Sequence, residues 1–486
     1  MTMPRRTFLH LAASAASLPI TTRMTRAEDR KPLAERLAAY ANALRYDDLD
    51  EATIESVKMH LIDVVGCGLA AFDEKPVGIC RQVALAVNVG TATVIGTKRR
   101  TTPDLAAFAN CAGFRYLDLN DAYVGRITGH PSDDIAASLA IAEAERASAK
   151  DLITAIVLAY EVNCRLIDAF DASFSERGWD VPVLSLPAVA LAAGKLMKLS
   201  PDALAQAVAL SINDHVSLGQ TRVQALSDWK GVADAEAGRN GVFAATLARA
   251  GLTGPAPIFE GRLGLFKLVS GPAEIDVDNF GGRSKPFLIH QCGLKSYPAH
   301  ITAQTTVPAA VALAKEIGNL DRVAALEIGT THRGYQMAGS DPEKWTPETK
   351  ETADHSLPYI AARAMFDGDL DNDSYAPAKL RDPRILAFMR KITVKEDPAF
   401  ATRTISVPPT RLTATLADGT QVSRLVDTMP GFPGQPATRA DVERKFRSNV
   451  GKRMPHEQVD AALHALWALD RADDVSALLG GLALQA

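Results

Sequence analysis

The apolar positions in the first half of the chain recur at the spacing of an α-helix. Over residues 52–72 they fall three and four residues apart, and a run of aspartates just before them suits a helix N-terminus. Residues 151–170, 200–212 and 231–250 follow the same pattern, and each segment is ended by Gly, Pro or polar residues. The pattern predicts a large helical domain over residues 31–256.

The pattern changes after a cluster of helix breakers at residues 251–255. Residues 301–317 predict a helix and residues 323–328 a strand. Residues 411–425 alternate between apolar and polar positions around Asp418-Gly419, which is a strong hairpin signal. We therefore expect a smaller α+β domain over residues 257–429.

Helical spacing returns at residues 439–450 and 456–479. The chain is therefore predicted to rejoin the first domain from about residue 430 to residue 486. The predicted fold class is two-domain, with a large all-α helical domain and a smaller α+β domain.

The N-terminus has the layout of a twin-arginine export signal. Arg5 and Arg6 precede a short run of apolar and small residues at 9–20, and Ala27 is a candidate cleavage position. This run is too short to cross a bilayer, which needs about 20 apolar residues. Residues 1–30 therefore predict export to the periplasm. If the signal does not function, the protein stays in the cytoplasm.

Composition and the missing motifs argue against several classes of protein, namely nucleic-acid-binding, membrane-spanning and metal- or cofactor-dependent proteins. The chain of 486 residues has 53 Lys and Arg against 57 Asp and Glu, and we find no basic stripe, which argues against a nucleic-acid partner. No later segment has the apolar length of a membrane span. The five cysteines are scattered, and H-E-x-x-H, G-x-S-x-G, Walker and G-x-G-x-x-G motifs do not occur. We expect neither a metal nor a cofactor.

Dense polar islands interrupt the otherwise apolar helical sequence. In the first, D-L-N-D at 118–121 precedes G-H-P-S at 129–132. Asp118 and His130 form a plausible acid/base pair, with the histidine on a turn defined by Gly and Pro. Ser132 and Asp133 cap the following helix in this interpretation, and the helix N-terminus could hold a carboxylate ligand. A capping turn without chemistry is the alternative.

The second island combines W-K-G at 229–231 with A-G-R-N-G at 237–241. Lys230 and Arg239 lie at the start of, and within, a helix of small residues. Two cations in such a position suit an anionic substrate. Solvated charges flanking a helix are the alternative.

The third and fourth islands lie in the second half of the chain. The third is K-S-Y-P-A-H at 295–300, and the fourth is E-T-A-D-H-S-L-P-Y at 351–359. Two further histidines, His60 and His464, fall within apolar helical patterns and are predicted to be buried core residues.

The four islands, in this order, resemble the MmgE/PrpD family, whose familiar members are 2-methylcitrate dehydratase and cis-aconitate decarboxylase. The resemblance runs from about Pro32 to the C-terminus. It implies a large helical domain, a smaller α+β lid, a homodimer and an active site in the cleft between the domains. It also implies an enzyme that acts on di- and tricarboxylates and contains no iron–sulfur cluster. The site residues that the resemblance implies are Asp118, His130, Lys230, Lys295, His300 and Tyr359. Of these, we expect His300 to bind substrate and the others to be catalytic, and the islands themselves add Arg239 and Ser132 as substrate-binding candidates.

The expected function is a cofactor-independent lyase that dehydrates a 2-methylcitrate-like hydroxy acid. A base must remove a weakly acidic proton beside a carboxylate while cations stabilise the developing charge. His130 or Asp118 is the candidate base, and Tyr359 or His300 the candidate acid. Decarboxylation, or epimerisation or isomerisation of a related acid, is the nearby alternative. A non-catalytic, exported carboxylate-binding protein is the alternative of another class.

The sequence departs from the family pattern at two positions. Ala122 follows the acidic run where the family often has Ser or Thr, and the run itself is less dense. Asp180 follows Trp179 where the family often has His. Both departures concern substrate-facing positions, so they bear on the substrate and the reaction rather than on the fold.

Overall fold

The computed structural model describes residues 31–171, 173–282, 284–401, 407–472 and 475–485. The export signal predicted over residues 1–30 lies outside these ranges. Within them, no helix has both the length and the apolar character needed to span a membrane.

The first part of the chain is a bundle of helices with two small strand pairs. The helices are α1 Leu33–Ala43, α2 Glu51–Ala70, α3 Lys75–Leu85, α4 Pro103–Tyr116, α5 Ile135–Ala144, α6 Ala149–Ala169, α7 Ser173–Glu176, α8 Pro182–Leu196, α9 Pro201–Asn213, α10 Ala233–Arg249 and α11 Leu265–Leu268. The strands are β1 Ala92–Thr93, β2 Arg100–Thr101, β3 Asp121–Val124 and β4 Thr128–Gly129. Nearly every residue of α5 and α8 and most residues of α6 are buried, so these helices form the centre of the bundle.

The four helices predicted from periodicity are present as α2, α6, α9 and α10. Three of them begin at side-chain caps, in which Asp50, Ser148 and Ser200 each accept a hydrogen bond from the backbone N–H three residues later. Such caps satisfy amides that the first helical turn leaves without a partner. Local chemistry therefore determines where these helices start.

A second core is built around a mixed sheet. Its elements are α12 Thr306–Ile317, β6 Val323–Thr330, α13 His332–Ala338, α14 Lys350–Ala353, α15 Leu357–Asp367, α16 Pro377–Leu380, α17 Pro383–Met389, β7 Ile392–Glu396, β8 Thr410–Leu416 and β9 Gln421–Val426, with β5 Cys292–Leu294 preceding them. The sheet order is β7-β6-β8-β9, with β6 and β7 parallel and the other neighbours antiparallel. The predicted helix, strand and hairpin are all observed, and Gly419 in the hairpin turn has φ +85°.

The junction between the two cores lies later than the sequence predicts. The apolar side chains between Ile258 and Leu294 pack into the first core rather than the second. Strand β5 pairs antiparallel with β3, with Asp121 opposite Leu294. The boundary placed near residue 256 therefore moves to about residue 295, because strand pairing holds this segment on the helical domain.

The C-terminal helices α18 Arg439–Val450, α19 His456–Trp467 and α20 Val475–Gly481 also pack on the first core. The single helix predicted over residues 456–479 is wrong, since α19 ends at Trp467 and a short turn follows. Asp470 in that turn binds Lys58 of α2 at 2.5 Å. His60 is 4% exposed, as predicted, but the prediction of a buried His464 is wrong because that residue is exposed.

Candidate active site

A buried carboxylate lies at the centre of the site. Asp118 follows the end of α4 with φ +52°, a left-handed conformation that Asp tolerates better than most residues. This turn directs the side chain back toward the helix, where it accepts a hydrogen bond from Arg115 Nη1 at 2.6 Å. Helix α4 thus supplies both the central carboxylate and its first cation.

Two lysines converge on the same carboxylate. Lys295 Nζ donates to Asp118 Oδ1 at 2.5 Å, and Lys230 Nζ donates to Oδ2 at 3.0 Å. Lys295 follows β5, whose pairing with β3 brings it beside Asp118. Lys230 precedes Gly231, where a Cβ atom would lie 2.8 Å from the ring of Tyr116, so this glycine allows close approach to α4. Both lysines therefore lie at the first domain, although the boundary predicted near residue 256 places Lys295 in the second.

The second domain adds a carboxylate, that of Asp354, and an imidazole, that of His355, to this cluster. Asp354 accepts from Lys350 Nζ at 2.8 Å and from Lys230 Nζ at 3.3 Å. His355 Nδ1 lies 2.6 Å from Asp354 Oδ1 and therefore carries the proton that it donates there. The site is thus assembled across the junction of the two domains.

The cluster is closed to solvent. Asp118 and Asp354 are 0% exposed, and Lys230 and Lys295 are 1% exposed. Burial raises the pKa of Asp118, but the charges of Arg115, Lys230 and Lys295 outweigh it and hold that pKa well below its usual value. Burial lowers the pKa of Lys295 to about 8, so this ammonium loses its proton more readily than an ordinary lysine.

His130 has the geometry of a general base. Its Nδ1 lies 2.7 Å from the backbone oxygen of Asp121, and a carbonyl only accepts, so Nδ1 carries the ring proton. The lone pair therefore belongs to Nε2, which makes no hydrogen bond to the described residues. Burial, with the charges of Arg115 and Lys295, lowers the pKa of His130 well below its usual value. The imidazole is neutral at pH 7 and can accept a proton.

One more histidine, His300, lies against His355 beside the cluster. The ring centroids of His300 and His355 are 4.6 Å apart. His300 Nδ1 accepts from the backbone N–H of Thr302 at 3.4 Å, which leaves its proton on Nε2. Burial, followed by the charge of His355, lowers the pKa of His300, and burial lowers that of His355 to about 3. His300 is therefore a neutral imidazole with a donor at Nε2.

Ser132 supports the loop that carries His130. Its backbone N–H donates to Asp121 Oδ1 at 3.1 Å, and its hydroxyl accepts from Asn120 Nδ2 at 2.9 Å. Tyr160 binds the other oxygen of Asp121 at 2.8 Å. These contacts make Ser132 part of the scaffold, so the predicted substrate-binding role has no support in this geometry.

Two predicted site residues lie away from the cluster. Tyr359 is fully buried in the second core, and its hydroxyl donates to the backbone oxygen of Ser374 at 2.6 Å. Arg239 is paired with Glu236 one helical turn away, at 2.6 Å, and its side chain is 33% exposed. Neither side chain joins the cluster, because each is held by a partner within its own domain.

Sequence reasoning missed several members of the cluster. Asp354 and His355 belong to the fourth island, and their adjacency was the available signal. Lys350 precedes that island by one residue. Arg115 lies in a helical pattern with nothing to distinguish it from a solvated helix residue.

A metal site at this position is disfavoured by the donor set. Three residues each offer one ligand atom here, and the three atoms lie within 4.8 Å of one another, a spacing that could hold an ion: Asp118, Asp354 and His355. The two carboxylates already accept hydrogen bonds from Lys230 and Lys350, and His355 Nδ1 is a donor. A divalent ion would compete with those ammonium groups, so the arrangement fits a carboxylate–ammonium cluster better than a metal centre.

The two positions that depart from the family pattern have distinct surroundings. Ala122 is buried on β3 opposite Gly293 of β5. Asp180 accepts two hydrogen bonds from Arg222 Nε, at 2.9 and 2.8 Å. Arg222 also donates to the backbone oxygen of Lys230 at 3.0 Å. Asp180 thus helps to position the turn that carries Lys230.

Comparison with known proteins identifies the family of the chain. The MmgE/PrpD N-terminal domain matches residues 35–278, and the MmgE/PrpD C-terminal domain matches residues 297–469. A 2-methylcitrate dehydratase of Cupriavidus necator is 30% identical over 456 residues, which cover 88% of this chain and 92% of the relative. A cis-aconitate decarboxylase of Mus musculus is 24% identical over 473 residues, covering 92% and 93% of the two chains. With both domains matched in order across the described junction, the chain belongs to the MmgE/PrpD family.

Proposed function

We propose that the protein is a cofactor-independent lyase that removes water from a 2-methylcitrate-like hydroxy acid. The observation that carries the proposal is a neutral His130 with a free Nε2 near a cluster of lysines. A base without charge can take a proton from carbon, and cations stabilise the carboxylate beside that carbon. The names of the relatives from Cupriavidus necator and Mus musculus support a carboxylic acid substrate.

The proposed reaction divides its steps among three kinds of group. His130 Nε2 accepts the proton from the carbon beside a substrate carboxylate, and the electron pair forms the double bond. Lys295 and Lys230 stabilise the negative charge that builds on that carboxylate. The carbon–oxygen bond breaks while His300 Nε2 donates a hydrogen bond to the departing oxygen, and the proton that His130 took from carbon passes to the hydroxide, which leaves as water and restores the neutral imidazole. Tyr359, the other acid candidate, is too far inside the second core for this role.

Substrate entry requires the two domains to separate. The central carboxylates and lysines are at most 1% exposed, so no polycarboxylate reaches them in this closed arrangement. Closure after binding would exclude water and strengthen the pull of the cations on the substrate. We further propose that the protein works as a homodimer in the periplasm. The family resemblance supports the dimer, and the paired arginines near the N-terminus support the location.

Decarboxylation is the second candidate, because relatives named cis-aconitate decarboxylase match most of the chain. Loss of CO₂ leaves a carbanion that a protonated base must quench, so the same histidine and lysines serve both reactions. The two reactions differ in their products, which are water in one case and CO₂ in the other.

Proton NMR of the purified protein with 2-methylcitrate, citrate, cis-aconitate and substituted succinates tests the proposal. Dehydration predicts a new vinyl or methyl signal from 2-methylcitrate, absent with His130→Gln and retained with His464→Gln, a change at an exposed histidine. Conversion of cis-aconitate alone with release of CO₂ would replace dehydration by decarboxylation. Binding of an acid without any product would contradict the enzymatic proposal.

A further inference from the structure

Two cations of the second domain lie near the cluster without an ion-pair partner among the described residues. Lys344 is 0% exposed, and its Nζ makes no hydrogen bond within the described ranges. Arg333 is partly buried, and its guanidinium has no ion pair or hydrogen bond among the described residues. Lys230, Lys295 and Lys350, in contrast, each donate to a carboxylate of the cluster.

Lys344 lies on a short turn that borders the cluster. The turn Pro342–Trp345 packs against α14 and α15, which flank Asp354. The hydroxyl of Ser356 binds the backbone oxygen of Lys344 and fixes the turn there. Burial lowers the pKa of Lys344 to about 8, and Asp341, Asp354 and Lys230 are close enough for their charges to act on that pKa.

The same turn touches the first domain. Asp341, which precedes the turn, accepts a hydrogen bond from the backbone N–H of Gln224 at 3.0 Å. Lys344 therefore lies at the domain junction, where a substrate would enter between the two domains.

Arg333 borders the cluster from another side. It lies on α13, which packs against the turn Ile301–Ala303 directly after His300. Its charge contributes to the lowered pKa of His300, so the guanidinium is near that imidazole. No charged group offsets the effect of burial, which lowers the pKa of Arg333 to about 10. At neutral pH the side chain is still a cation.

An unpaired cation is costly in a fully buried position such as that of Lys344 unless an anion joins it. We propose that Lys344 and Arg333 each bind a carboxylate of the substrate that does not take part in the reaction. The inference rests on the proposed function. It names the substrate class as an acid with at least two carboxylates in addition to the one beside the reacting carbon. The guanidinium of Arg333 suits bidentate binding of a carboxylate, whereas Lys344 acts as a point charge.

The different roles of the four cations follow from the carboxylates that each one already binds. Lys230 and Lys295 are bound to Asp118, so much of their charge is balanced before any substrate arrives. Lys344 and Arg333 donate no hydrogen bond to a carboxylate among the described residues, so both can bind carboxylates of a substrate. Tricarboxylates are therefore preferred to monocarboxylates because the second domain holds cations for the additional groups.

Calorimetric titration with the tricarboxylates and with a monocarboxylate tests the inference on Lys344→Met and Arg333→Gln. Each variant should weaken tricarboxylate binding at least tenfold and leave weak monocarboxylate binding unchanged. Lys315→Met and Arg390→Gln, which alter exposed cations of the same domain, are the matched controls and should bind like the wild type. Thermal melting without ligand adds a second readout. Lys344→Met should melt at the wild-type temperature or higher because it removes an unbalanced buried charge, whereas a purely structural lysine would give a lower value.

The outcomes separate this inference from the proposed function. If the wild type binds and converts a tricarboxylate while both variants bind it with unchanged affinity, the inference is wrong and the function stands. A loss of affinity in both variants supports the inference even if the product shows that the reaction is a decarboxylation. A wild type that binds none of the tested acids overturns both.

Discussion

Replacing Asp118 by Asn tests whether the buried cluster is held together by its central charge. The carboxylate accepts hydrogen bonds from Arg115 at 2.6 Å, Lys295 at 2.5 Å and Lys230 at 3.0 Å. Asn keeps the size of the side chain and tolerates the φ of +52°, so the change removes the charge with little backbone strain. The amide NH₂ then faces cations that it cannot bind.

The expected cost follows from burial. Removing one partner of a buried ion pair destabilises a protein by about 3–5 kcal/mol, because the remaining charge stays out of water without compensation. Asp118 serves three cations, and Arg115 is also near other carboxylates at 3.5 and 3.7 Å, which limits the loss. We therefore expect the free energy of unfolding of Asp118→Asn to fall by about 3–5 kcal/mol at pH 7.

Urea unfolding followed by circular dichroism measures this difference, with Asp460→Asn as the control. Asp460 pairs with Arg447 at the surface, where side-chain exposures are 62% and 43%, so its loss should cost less than about 1 kcal/mol. The folded pKa of Asp118 lies below its unfolded value. Its stabilisation is therefore present above about pH 4 and lost as the pH falls further. A cost at pH 7 no larger than that of the control, or a cost that grows in acid, would refute the reasoning.

Three further predictions concern the chemistry and the location of the protein. His130→Gln should lower kcat by about 10²–10⁴-fold without changing the urea midpoint, because glutamine can still bind the backbone oxygen of Asp121 but cannot act as a base; a near-normal kcat would exclude His130 as the base. Prolonged treatment with a chelator should leave activity unchanged, since ammonium groups already bind the clustered carboxylates, and a loss that only added metal restores would contradict this. Changing Arg5 and Arg6 to Lys should retain the protein in the cytoplasm; fractionation that still finds it in the periplasm would remove the export signal from the account.

Helix periodicity was sufficient to predict much of the helical fold. The segments predicted over residues 151–170 and 200–212 are α6 and α9, and the caps Ser148 and Ser200 fix where these helices start. Asp418-Gly419 marks the β8–β9 hairpin because Gly419 adopts a positive φ. These features depend on near neighbours in the chain.

The domain boundary depended on contacts between distant parts of the chain. Strand β5 has three residues, and its pairing with β3 joins segments about 170 residues apart, so no periodic pattern in either segment signals it. The pairing moves Lys295 to the first domain. Lys230 and Lys295 therefore lie on the same side of the domain junction.

The site could be predicted only where its residues occur in dense polar islands. Asp118, His130, Lys230, Lys295 and His300 lie at or near the cluster. Tyr359 comes from the same island as the missed Asp354 and His355, but it lies on α15 and turns into the second core. Its orientation depends on helix packing, which a motif does not reveal.

Three basic residues could not be predicted from the sequence for the same reason: Arg115, Lys344 and Arg333. Each is a single basic residue in an ordinary local pattern, and its importance comes from which groups lie around it in the fold. Burial without a partner distinguishes Lys344, and that property exists only in the folded protein.

Deuterium incorporation is the most direct test of proton transfer on a carboxylic acid. The wild type is incubated in D₂O with the unsaturated acid that corresponds to 2-methylcitrate, and also with cis-aconitate, and the products are examined by proton NMR and mass spectrometry. The account predicts one carbon-bound deuterium per product molecule, on the carbon beside a carboxylate, and its formation should depend on His130. Acids recovered unchanged and without deuterium, although they bind, would contradict it.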